Sequence, residues 1–191
     1  MKASNALLDA IKSIQKIMDE ENIDPREGLP EELFVFATTL MPVTNVDLLV
    51  SDEGGRILFS WRDDRFYGKG WHIPGGCIRL QEYWKDRIQK TAIKELKSEV
   101  VFDEKPLAVF ESMTNSYRAS LKNQLERSHN VSVMFKCTMP EGYFINNGAM
   151  SEFDEGYLKW FDHVPEDLLL CQKELYGTLL DGWFKQKTER N

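Results

Sequence analysis

The segment Trp71-His72-Ile73-Pro74-Gly75-Gly76-Cys77, followed by a long run of mixed charged and apolar residues, constrains this chain more than any other. Two adjacent glycines after a short apolar run let the backbone turn sharply and come close to a ligand, leaving carbonyl oxygens free to face a hard cation. The residues from about Glu82 to Val100 read as one helix, and Glu95 lies on it. A loop of exposed carbonyls running into a helix that carries a carboxylate supplies two kinds of oxygen donor. Mg²⁺ needs few such donors from protein, because substrate phosphates and water complete its octahedron. The fold must therefore present a strand, a tight loop and a helix in that order.

The rest of the chain supplies a body for this unit. Val46 to Val50 is an apolar run broken only by Asp47 and suits a buried strand; Glu53-Gly54-Gly55 is a turn, and Arg56 to Trp61 returns as a second strand. Further strands are predicted near 107–113, 131–137 and 157–161, and helical segments around 165–175 and 177–187. Strands and helices interleaved in this way predict an α/β fold with a mixed β-sheet between helices. A chain of 191 residues, 42% hydrophobic and 12% aromatic, is long enough for one sizeable core and too short to favour two. The five tryptophans are expected in the core or at an interface, with Trp84 partly exposed at the start of the helix.

Ahead of this body, residues 5–21 place Leu7, Leu8, Ile11, Ile14 and Met18 at helical spacing with charged residues between them, an amphipathic helix. Its apolar stripe must be covered by the body of the domain, by a second subunit, or by a dedicated partner. Two prolines and a glycine within Asp24-Pro25-Arg26-Glu27-Gly28-Leu29-Pro30 break the helix. Residues 1–28 are thus expected to form a helical extension and 29–191 the catalytic domain.

A formal charge of -7 excludes a sequence-independent hold on nucleic acid, which needs clustered Lys and Arg. A small anionic ligand remains compatible, since a pocket can be locally basic. Cys77, Cys137 and Cys171 are odd in number and lack metal-site spacing, which favours a reducing compartment. Asp9, Lys12 and Lys16 interrupt any leader-like apolar run, and no segment reaches the roughly 18 to 20 apolar residues that span a bilayer. A soluble, cytoplasmic protein without membrane contact is expected.

Gly76, five residues, Glu82, and Glu95 thirteen residues later resemble the frame of the Nudix box, a loop-helix motif that binds metal and diphosphate. The chain departs from the box at Lys90-Thr91, where the box has Arg-Glu, at Lys94, where it has the first glutamate of its final pair, and at Lys97, where it has glycine. The same departures resemble those of the GDP-mannose mannosyl hydrolases, and that likeness runs from about Leu29 to Phe161. It implies a Nudix fold, a Mg²⁺ cofactor, a small-molecule nucleotide substrate and a homodimer. It further implies that Phe34 contacts the base, Asp47 lies in the sugar region and Arg62 holds phosphate. Gly75 would offer its carbonyl and Glu95 its carboxylate to the metal.

At three places the chain differs from that family. Asp154-Glu155 align, through Trp160, with a Gln-His pair in which the glutamine binds metal and the histidine is the base, so Asp154 becomes a candidate ligand and Glu155 a candidate base. The arginine expected after the double glycine is Cys77, with Arg79 two residues on as its candidate substitute. A tyrosine expected after a strand histidine is Asn130, following His129.

Several of these residues also have plainer readings. Phe34 suits the core, Arg62 an exposed loop with Asp63, Asp64 and Arg65, His129 a hydrogen-bonded strand position, Glu82 an orienting role in the loop, and Asp154 and Glu155 a solvated acidic turn.

Residues four apart share a helix face, so Thr91, Glu95 and Glu99 are expected to form one stripe with only two carboxylates. Several metals clamping an attack at phosphorus would want more charge there. One Mg²⁺ on a diphosphate leaving group suffices if water attacks the sugar carbon, with a carboxylate such as Glu155 as general base. The expected activity is Mg²⁺-dependent hydrolysis of a GDP-mannose-like nucleoside diphosphate sugar. The alternatives are a Nudix pyrophosphatase that cleaves at phosphorus and a non-catalytic nucleotide-binding module.

Overall fold

The computed structural model describes residues 3–64, 67–113 and 129–188. Its central feature is a mixed sheet. Strand β1 (Val43–Val50) pairs in parallel with β7 (His129–Thr138) and antiparallel with the short β4 (Gly75–Cys77); β5 (Val101–Phe102) and β6 (Ala108–Met113) add antiparallel to β7. A second sheet joins β3 (Gly68–His72), β2 (Ile57–Asp64) and β8 (Leu158–Phe161) in that order, all antiparallel.

Alternation along β1 explains how the layers stack. Val46, Leu48 and Val50 share one buried cluster with Ile88, Ala92 and Leu96 of helix α3 (Trp84–Leu96). Leu49 joins a second cluster with Ile57, Phe59, Trp61 and Trp71 of the other sheet and with Tyr176 and Leu180 of the C-terminal helix α4 (Leu170–Thr188). Side chains of period two go to opposite faces, so one strand feeds both cores. The mixed sheet thus has α3 on one face and α4 on the other, as the interleaved pattern predicts, and the second sheet contributes to both cores, Leu58 and Leu158 to the first and Ile57, Phe59, Trp61 and Trp71 to the second.

Three details differ from the sequence reading. First, α3 ends at Leu96, where Lys97 takes a left-handed conformation (φ 58) as its C-cap, so Glu99 falls beyond the helix and is exposed. The expected stripe of Thr91, Glu95 and Glu99 therefore stops at Glu95. Second, residues 165–169 are not helical, Leu168 bridging Trp71 instead, and 170–188 are one helix rather than two, because Tyr176 and Leu180, four residues apart and both buried, seat the helix on the core across Gly177. Third, a short helix α2 (Glu31–Thr38) follows the proline-rich break, with Glu31 and Glu32 favourably placed in its first turn.

The N-terminal helix α1 spans Asn5–Glu20, capped by Ser4, whose side chain accepts a hydrogen bond from the Leu7 N–H. None of its residues is buried, so its apolar stripe is not covered by the body of the same chain. No described helix is long and apolar enough to cross a membrane.

Candidate active site

The double glycine, expected as a free turn, instead forms strand β4 with Cys77, and its register against β1 sets the glycine segment. Asp47 lies opposite Gly75 and Val46 opposite Gly76, and the Leu48 N–H donates to the Pro74 carbonyl at 2.8 Å. A methyl group on residue 75 would overlap Asp47 Oδ1, and one on residue 76 would come within 2.6 Å of Thr91 Oγ1. Neither glycine has a positive φ. Close packing of the loop between β1 and α3, rather than an unusual backbone angle, is what requires glycine at both positions.

Glu82 organises the start of the helix. Its carboxylate accepts from the Arg79 backbone N–H (3.0 Å), from Arg87 Nε (2.7 Å) and NH2 (3.0 Å), and pairs with Lys90 Nζ at 3.0 Å. Burial raises its pKa, but the hydrogen bonds from Arg87, Lys90 and the Arg79 backbone outweigh that and hold the group below the usual carboxylate range. With both oxygens committed, Glu82 orients the loop, as its position suggests.

Glu95 is the carboxylate that faces the loop side. Its Oε2 meets His72 Nε2 at 3.1 Å and its Oε1 lies 3.7 Å from Arg62 NH2. His72 Nδ1 in turn sits 2.8 Å from the Ser60 carbonyl, so both ring nitrogens face oxygen atoms. Pairing of β2 with β3 puts Ser60 opposite His72 and Arg62 opposite Gly70, which brings Arg62 and His72 to the Glu95 carboxylate.

Asp47 completes the cluster from beneath. It is buried, accepts a hydrogen bond at Oδ2 from Tyr176 OH at 3.0 Å, and is also hydrogen-bonded to Ser132. Burial pushes its pKa up to about 6; the Ser132 and Tyr176 bonds oppose that rise, the Glu95 charge adds to it and Arg62 subtracts from it. Burial likewise raises the Tyr176 hydroxyl.

These contacts join Asp47, Arg62, Gly75 and Glu95 into one cluster. The other candidate residues lie around it. Phe34 is half-buried on α2. The Arg79 guanidinium lies against Gly28, where an added methyl would sit 3.2 Å from Cζ. Asp154 and Glu155 are exposed, and the Asp154 Oδ2 accepts from the Ser151 N–H at 2.7 Å. Their loop is stitched to β2 by Gly156 N–H to the Trp61 carbonyl and Trp61 N–H to the Tyr157 carbonyl, both 2.8 Å, next to Arg62. His129 is a strand residue whose Nε2 lies 2.9 Å from Glu111 Oε1. The sequence reading gave no role to His72, Ser132 or Tyr176. His72 had one local signal, its place immediately before Ile73-Pro74-Gly75-Gly76; the other two had none.

The double glycine of β4 and the Glu95 carboxylate of α3 thus stand with Asp47 and Arg62 in one polar cluster beside the mixed sheet. The NUDIX domain family model matches residues 41–174, and the chain belongs to the Nudix hydrolase family. A curated relative, the low-salt glycan biosynthesis protein Agl8 of Haloferax volcanii, is 25% identical over 117 residues, covering 61% of this chain and 72% of that protein. The MutT Nudix hydrolase of Burkholderia pseudomallei superposes with a TM-score of 0.52 at 17% identity over 76% of this chain and 98% of its own. A UDP-X diphosphatase superposes with a TM-score of 0.50 at 17% identity over 95% of this chain and 80% of its own. At that identity the structural likenesses show the Nudix fold.

Nudix hydrolases act on small nucleotide derivatives and generally use a divalent metal, usually Mg²⁺. The donor set tests which metal this chain can hold. Among the described residues no group of three or more His, Cys, Asp and Glu side chains is placed to bind one. Of the side chains expected at the metal only Glu95 lies in the cluster, and so few protein oxygens fit Mg²⁺, because that ion keeps several waters and takes substrate phosphate oxygens. They do not fit a metal that demands a full protein cage.

Proposed function

We propose that the protein hydrolyses a nucleoside diphosphate sugar of the GDP-mannose kind with Mg²⁺, releasing nucleoside diphosphate and free sugar. The observation that carries this reading is the single carboxylate on the loop-facing side of α3. Thr91 stands one turn before Glu95, Lys94 beside it, and Glu99 lies past the helix end. Stabilising an in-line attack at phosphorus with several metals wants more negative charge than this. The likeness to a glycan biosynthesis protein also favours a sugar-bearing substrate.

In this reading Gly75 and Glu95 would hold the cation, whose positive charge would favour diphosphate as a leaving group. Arg62 reaches a phosphate oxygen from β2. Glu155, with Asp154 as an additional ligand from the same loop, takes a proton from water as the water oxygen bonds to the anomeric carbon. The carbon–oxygen bond to diphosphate breaks in the same step, and the electron pair leaves with the diphosphate. Phe34 contacts the base, Arg79 stands in for the arginine after the double glycine, and Asp47 underlies the sugar side of the loop. We assign residues 29–191 to the hydrolase domain and 1–28 to the extension, and read the molecule as a cytoplasmic homodimer.

Asp47 motivates a second reading. It is a further carboxylate that senses the Glu95 charge, and with it the site approaches the charge that attack at phosphorus requires. Hydrolysis of nucleotide sugars in heavy-oxygen water, with mass spectrometry of the products, decides between them. Label in the sugar supports attack at carbon. Label in a phosphate replaces it with an ordinary pyrophosphatase, and nucleotide binding that survives a chelator without any turnover replaces both with a binding module.

A further inference from the structure

Helix α1 lies outside the residues matched by the family model and leaves Leu7, Leu8, Ile11, Ile14 and Ile17 between 38% and 52% exposed. Two features of the helix indicate what covers this stripe. The first is a symmetry in its sequence. The large apolar residues occur at 7, 8, 11, 14, 17 and 18, positions that read the same in both directions about the point between Lys12 and Ser13, while the small Ala6 and Ala10 stand outside that symmetry. Laid antiparallel on a second copy across a two-fold axis at that point, Leu7 comes level with Met18, Leu8 with Ile17, and Ile11 with Ile14. Leu7, Ile11, Ile14 and Met18 follow the alternating four and three spacing of a helix-pairing seam. A two-fold interface must be self-complementary, and this one is.

The second feature is charge. The first turn of α1 carries no acidic residue and the last turn no basic one. Instead Asp19, Glu20 and Glu21 crowd the C-terminal end, where the helix dipole disfavours them. In an antiparallel pair each acidic end lies beside the partner's N-terminus, where the dipole favours negative charge; in a parallel pair the two acidic ends would repel. The two lysines of the helix are exposed and each is matched along it, Lys12 with Asp9 (4.0 Å) and Lys16 with Glu20 (3.4 Å), which leaves Asp19 and Glu21 as the excess at the acidic end. That balance is unlike the Lys- and Arg-rich face of a helix that lies on an anionic membrane.

We propose that α1 is a self-association element: it packs antiparallel against α1 of a second copy of this chain about a two-fold axis between Lys12 and Ser13. A 16-residue helix is about 24 Å long, so this contact alone is at the small end of specific interfaces, and the dimer dissociates on dilution.

Sedimentation velocity of the full chain over a range of concentrations tests it. The expected result is a reversible monomer–dimer equilibrium that Ile11→Lys weakens by about 30-fold or more, as for a central hot spot. Ile14→Lys is the second variant, and an unchanged thermal midpoint for the hydrolase domain shows that either one is folded. Orientation is read from a chain with Asp19→Asn, Glu20→Gln and Glu21→Gln: loosened pairing supports the antiparallel arrangement, and tightened pairing overturns it. A chain that is monomeric at all concentrations, a dimer indifferent to both lysine variants, or binding to anionic vesicles through α1 also overturns the proposal.

Discussion

Asp47 gives the sharpest quantitative test of the site. Its carboxyl is buried and its pKa is pushed from 3.8 up to about 6. Between those two values the folded chain holds a proton that the unfolded chain has released. Stability therefore falls as pH rises from about 4 to about 6 and is level above that, so at neutral pH the ionised carboxylate costs stability. The full difference is about 3 kcal/mol, of which about half lies between pH 5 and pH 8. Asp47→Asn removes the ionisation while keeping an oxygen for the Tyr176 hydroxyl, which donates at 3.0 Å, and an amide that can donate to Ser132. Urea unfolding of both proteins near pH 5 and near pH 8, with a chelator present, gives the stability difference at each. The variant is expected to gain about 1.5 kcal/mol relative to the parent on going from the lower to the higher pH. A stability difference that does not change with pH refutes the reading that this fold carries a charged, desolvated carboxylate under its glycine loop.

Three further outcomes follow from the geometry. Gly75→Ala forces its methyl onto Asp47 Oδ1, so the loop must shift; a loss of about 1–3 kcal/mol in urea unfolding is expected together with loss of metal-dependent turnover. Glu95→Gln is expected to remove most divalent-cation binding, read by Mn²⁺ titration, and full retention of metal affinity would show that the site lies elsewhere. Glu155→Gln should lower kcat by about 10² to 10⁴ with KM little changed in steady-state assays, and an unaltered kcat would move the base to Asp154, Glu152 or His129.

The elements of this fold were legible because the signals for them act over a few residues. Alternation in Val46–Val50, the turn at Gly54-Gly55 and the helical spacing of α1 follow from side-chain period or turn chemistry, and each is found where the sequence puts it, while α3 is shorter than its pattern and the double glycine is a strand. The order of loop, Glu82 and Glu95 already implied a metal and a diphosphate. The sequence did not contain the reason for the glycines, which is that Asp47 and Thr91 occupy the space where side chains would go. Nor did it reveal that His72 and Arg62 converge on Glu95, since that depends on the β2–β3 register. The Tyr176–Asp47 bond joins residues 129 positions apart, and only the packing of α4 on the mixed sheet brings them together. The early end of α3 took Glu99 out of the stripe, and the absence of any buried residue in α1 left its apolar face open. Local chemistry fixes which elements form; which polar groups meet, and which are stripped of water, depends on strand register and burial between distant segments, which exist only once the chain is folded.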